Sequence, residues 1–148
     1  MNGRLRESAH AAGTAEDSRA TTEGVTTVLP AVSPSVGAAR RFVAAAMRRH
    51  NALPETIDVA CLLTSELVTN ALVHAQSRVK LTVLVGAAHF RVEVGDTSGR
   101  AAHRREIEPD AVNGRGLQIV DAMSSRWGTG STADGKRVWF ELDAPYID

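Results

Sequence analysis

Between residues 75 and 79 the hydrophobic pattern changes period. Up to Ala75 the apolar residues recur as they do on a helix, with Leu63, Leu67 and Ala71 stacked four apart. From Val79 they alternate instead: Val79, Leu81, Val83 and Val85, and after the Gly86-Ala87-Ala88 turn Phe90, Val92 and Val94. A helix period cannot be satisfied by a strand, nor a strand period by a helix. The chain must therefore pack at least one long amphipathic helix beside an antiparallel hairpin.

The remaining segments extend this pattern. Val25 to Val32 (VTTVLPAV) is predicted as a short strand, with Pro30 pointing to a sheet edge. Ser33-Pro34-Ser35 starts a helix running to about His50, with Val36, Ala39, Phe42, Val43 and Ala46 on one side. A break at residues 51–54 precedes the second helix, roughly Glu55 to Ala75. Residues 100–113 are charged, contain Pro109 and are predicted as a mobile loop. Gly114-Arg115-Gly116 then opens a third helix, Leu117 to about Ser124. Trp127 begins a strand, Asp134-Gly135 turns, and Arg137 to Leu142 (RVWFEL) closes the sheet. The expected fold is α+β, a two-layer sandwich with helices on one face of a mixed, mostly antiparallel sheet. Residues 1–24 hold one large aliphatic, Leu5, and are expected to be a disordered tail, leaving 25–148 as the domain.

Composition narrows the function mainly by exclusion. At 148 residues the chain supports one core. Lys+Arg and Asp+Glu balance at 17 each, so charge gives no argument for nucleic acid or a membrane surface. One cysteine, Cys61, rules out an internal disulfide and a cysteine-based metal cluster, and its apolar surroundings suit a small core residue. With no apolar run of eighteen residues and no signal-peptide core at the N-terminus, the expectation is a cytoplasmic protein.

Three motifs carry chemistry. In SELVTNALVHA (residues 65–75), Glu66, Asn70 and His74 form one polar ridge beside Leu63, Leu67 and Ala71. Such a ridge is either solvated at the helix border or lines a pocket. An Asn carbonyl suits a hard cation such as Mg²⁺, which takes few protein ligands beside phosphate and water. A Glu one turn away suits a base for an attacking hydroxyl. The second motif is VEVGDTSGR (92–100), where Asp96 ends a strand and either shapes the turn or accepts a hydrogen bond from an amine. The third is Asn113-Gly114-Arg115-Gly116-Leu117, whose glycines either meet a backbone requirement or let amides approach an anion.

In their order, with GRGLQIVDAMSSRWG (114–128) and GKRVWFEL (135–142), these segments resemble the GHKL ATP-binding superfamily over roughly residues 25–143. Within it they are similar to the compact anti-sigma-factor serine kinases of the RsbW and SpoIIAB type and to stand-alone regulatory ATP-binding proteins of actinomycetes. The resemblance implies ATP and Mg²⁺ as ligands. It makes Asn70 the Mg²⁺ ligand, Glu66 the catalytic base and Asp96 the adenine-reading carboxylate, with Gly99 in the same box. It sets Gly114, Arg115, Gly116 and Leu117 beside the phosphates. It implies a protein serine/threonine kinase that holds a sigma factor and phosphorylates a STAS-domain anti-anti-sigma protein, with a homodimer as one assembly. One position departs, since relatives usually carry Thr where this chain has Arg137; the box at Asp96 is also irregular, with Ser98 in place of a glycine. The alternative is an adaptor of the same fold that binds nucleotide weakly or not at all, to which Arg137 lends support. A sensor histidine kinase would need a dimerisation helix pair, and a gyrase-like ATPase a transducer domain; neither is expected in this chain.

Overall fold

The computed structural model describes residues 23–97, 109–131, 133 and 135–143, and for residues 109–115 their backbone. The elements run β1 (Glu23–Leu29), α1 (Pro34–Arg49), α2 (Pro54–Ala75), β2 (Val79–Val85), β3 (His89–Asp96), α3 (Pro109–Met123), β4 (Arg126–Ser131) and β5 (Lys136–Asp143). The five strands form one open sheet in the order β1-β2-β3-β5-β4, and every described pairing is antiparallel rather than mixed. The cause is the last hairpin: β4 lies at the edge and folds back, so β5 enters beside β3 running the opposite way.

The helices lie on one face, as the alternating strands require. Leu81, Val83, Phe90, Val92, Val94, Phe140 and Leu142 point toward the helices and are buried with Ala39, Val43, Met47, Leu63, Leu67, Val68 and Val120. Burying side chains of this size contributes about 1.5–3 kcal/mol each. The long helix α2 is apolar and long enough by itself to cross a bilayer. Its Ile57, Ala60, Leu63, Leu67 and Val68, however, are buried in this core, between the sheet and α1. Pro54 fits the first turn of α2, where its missing N–H costs nothing, and Gln76 ends the helix in a left-handed conformation at φ 53°. Asn51, also left-handed at φ 59°, turns the chain between α1 and α2. Half-buried Cys61 gives its thiol to the Arg40 carbonyl at 3.6 Å; burial, with Asp58 nearby, pushes that thiol up, away from the reactive thiolate.

Two expectations change. The helix expected to open at Gly114 begins at Pro109, so residues 109–113 are helical and Gly114-Arg115-Gly116 lies inside α3. Proline is tolerated in a first helical turn, and packing of α3 on α2 offsets the helix-weakening glycines that follow. Of the expected loop, residues 100–108 lie outside the described residues, as do residues 1–22 of the expected tail; Glu23 and Gly24 already belong to β1.

Candidate functional site

An open cleft of about 480 Å³, measured out into its mouth, lies between α2, α3 and the β3–β5–β4 end of the sheet. Asn70 and His74 line it from α2, Asp96 from the end of β3, Leu117 from α3, and Lys136 and Thr129 from the last hairpin. Leu67, Ala71, Val94 and Val138 form its apolar floor. Residues from three separated motifs therefore meet in one place, and the polar ridge of α2 lines a pocket at Asn70 and His74.

The ridge is also where α3 comes closest. A Cβ added at Gly116 would stand 2.8 Å from Asn70 Nδ2 and 3.6 Å from Glu66 Oε1. A side chain at 116 would press on the Asn70 amide and force it to move, while its contact with Glu66 would be ordinary, so glycine lets the α3 backbone approach Asn70 with that side chain undisturbed. Glu66 reaches this junction without lining the main cleft. Gly114 lies two residues earlier in α3; Arg115 is in the same helix with its side chain outside the described residues, and Gly99 lies wholly outside them. With helical backbone from Pro109, the amides at 114–116 fall beyond the first turn of α3, whose end was expected to present them to an anion.

Asp96 is buried against Gly135, where an added Cβ would overlap its Oδ1 and approach its carbonyl oxygen to 2.8 Å. A larger residue at 135 would displace the carboxylate from the cleft wall. The next residue resolves the departure noted at Arg137. Lys136 and Val138 line the cleft, whereas Arg137 points to the opposite face of the sheet, as strand alternation dictates. There its Nη1 lies 3.7 Å from Glu93 Oε1. The sequence flagged Arg137 and passed over Lys136, because periodicity shows that neighbours face opposite ways but not which faces the cleft.

That opposite face carries the strongest charge network among the described residues. Glu141 is buried between its register partners Arg91 and Arg126, accepting from Arg91 Nη1 at 2.8 Å and Arg126 Nε at 2.7 Å. Arg91 also donates from Nε to Glu93 at 2.9 Å and stacks on Trp139, 3.8 Å from the ring centroid. Arg126 continues the chain to Asp143. Burial alone would push the Glu141 carboxyl up. The hydrogen bonds from Arg126 and Arg91, with the charges of Arg91 and His89, hold it below the usual carboxylate range. The network locks the register of β3, β5 and β4, the strands that bring Asp96 and Lys136 to the cleft.

The sequence matches the histidine kinase-like ATPase domain over residues 29–142. This chain belongs to that family. The ATPase-type domain also resembles a chain in the crystal structure of the SiaB–SiaC complex from Pseudomonas aeruginosa, with a TM-score of 0.59 at 11% identity. The match covers 88% of this chain and 94% of that one, and at such identity it speaks for the shared fold. No protein of curated function matches the sequence. The domain's five-stranded sheet with helices on one face is that fold.

Proposed function

We propose that this domain binds ATP with Mg²⁺ and acts as a protein serine/threonine kinase in a partner switch, holding a sigma factor and phosphorylating a STAS-domain anti-anti-sigma protein. The observation that carries the proposal is the convergence of Asn70, Asp96 and Leu117 on one cleft with Glu66 one helical turn from Asn70. Membership of an ATPase-domain family supports the nucleotide, and likeness to a protein solved in a two-protein complex supports a protein partner.

The residues suit the ligands. Asp96, for which Gly135 leaves room, offers an acceptor at the cleft wall, and Leu67, Ala71, Val94, Leu117 and Val138 offer apolar surface for a purine. Asn70 supplies one neutral oxygen, a donor set that fits a cation completed by phosphate and water. When bound, Mg²⁺ would neutralise phosphate charge. The chain's own task is then positioning. The acceptor hydroxyl attacks the γ-phosphorus, the bond to the bridging oxygen of ADP breaks with its electron pair leaving on ADP, and the hydroxyl proton passes to the Glu66 carboxylate. Phosphate contact from Gly114, Arg115 and Gly116 requires the early turns of α3 to release their amides. The two glycines, each weakening a helix by about 0.5–1 kcal/mol relative to Ala, favour that release.

Calorimetry tests the binding step. Wild type should bind ATP only with Mg²⁺, and both Asp96→Asn and Asn70→Ala should bind MgATP about 10–100-fold more weakly or not at all, without loss of fold. Equal affinity in all three proteins would remove both residues from the site.

A further inference from the structure

The register that ends at Gly95↔Arg137 places Lys136 opposite Asp96 when continued by one residue. Directly opposed residues of an antiparallel pair share a face, their Cβ atoms about 4.5–5.5 Å apart. Both side chains line the cleft, while Arg137, between Lys136 and Val138, is turned to the other face. A ligand meeting this wall therefore faces a carboxylate acceptor beside an ammonium donor, and Gly135 leaves the room that the carboxylate occupies. The Watson–Crick edge of adenine is the complement: an exocyclic amine that donates beside N1, which accepts. Hypoxanthine in the same pose would turn a carbonyl oxygen toward Asp96 and an N–H toward Lys136, setting like against like on both sides.

Resting on the nucleotide-binding reading above, we propose that Lys136 is a specificity-determining residue whose Nζ donates to adenine N1 while Asp96 accepts from the amine. The long aliphatic stem of Lys suits this role at a partly buried position, because it packs along the wall and delivers a charged head at its end.

The experiment is calorimetry with Mg²⁺ and three nucleotides: ATP, 1-deaza-ATP (C–H in place of N1) and ITP. The wild type should bind 1-deaza-ATP about tenfold or more weakly than ATP, the effect of losing a hydrogen bond to a charged donor. Lys136→Met keeps the stem and removes the donor. It should bind ATP about as weakly as the wild type binds 1-deaza-ATP, and should no longer distinguish the two. ITP should bind the wild type more weakly than ATP. If Lys136 only props Asp96, the variant will lose affinity for both adenine ligands equally and keep the wild-type ratio, which overturns the assignment. Tighter binding of ITP than ATP overturns it too. A wild type that binds ATP with an unchanged ratio takes down the role of Lys136 alone, whereas one that binds no nucleotide takes down the nucleotide reading with it.

Discussion

Replacing Glu66 with Gln should lower phosphate transfer to a STAS-domain acceptor by about a hundred- to ten-thousand-fold, the usual contribution of a general base. ATP affinity should stay close to that of the wild type. The separation is expected because Glu66 meets the α3 backbone at Gly116 rather than lining the cleft where Asn70 and Asp96 stand. Gln keeps the shape of the side chain, so the fit against Gly116 survives while the proton acceptor is lost. Transfer of labelled phosphate from ATP, measured beside calorimetric affinity, checks both halves. A variant as fast as the wild type would remove Glu66 from the chemistry. A wild type that binds ATP and a partner but transfers nothing would identify the protein as an adaptor that keeps the fold without the reaction.

The largest effect on stability should come from the far side of the sheet. Glu141→Ala leaves Arg91, itself buried, without its cross-strand partner and Arg126 with one partner fewer. Breaking one side of such a buried pair costs about 3–5 kcal/mol, and in a chain of this size the melting temperature should fall by roughly ten degrees. Urea unfolding gives the free energy directly. The same carboxylate sets an acid limit on the wild type. Because folding holds Glu141 below the usual carboxylate range, its contribution is complete above the unfolded value of 4.5 and is lost as pH falls through the lower folded value. The stability of Glu141→Ala should therefore depend less on pH below about 4.5 than that of the wild type. Parallel acid profiles for the two proteins would show that the network contributes nothing there.

Much of this molecule could be read without its structure, and the reason is periodicity. The alternation of Val79, Leu81, Val83 and Val85 against Phe90, Val92 and Val94 fixes a hairpin and its inner face, because a slip of one residue would expose the whole set. The stacking of Leu63, Leu67 and Ala71 likewise fixes which side of α2 meets the sheet and leaves Glu66, Asn70 and His74 along its border. Asp96 and Gly116 were legible as motif residues, and their order along the chain pointed to the family that the sequence match shows.

What the sequence could not decide depends on contacts between distant segments. The start of α3 at Pro109 pits the local weakness of two glycines against packing on α2, and propensity alone favoured the later start. Whether Lys136 or Arg137 faces the cleft follows from the pairing of β5 with β3, a choice of register made about forty residues away in sequence. The placement of Glu141 between Arg91 and Arg126 depends on the same pairing together with that of β4. Local pattern specifies which elements form and which of their sides are apolar. The partner of each side chain is chosen only when the sheet closes, since the energy that separates one register from another lies in those contacts.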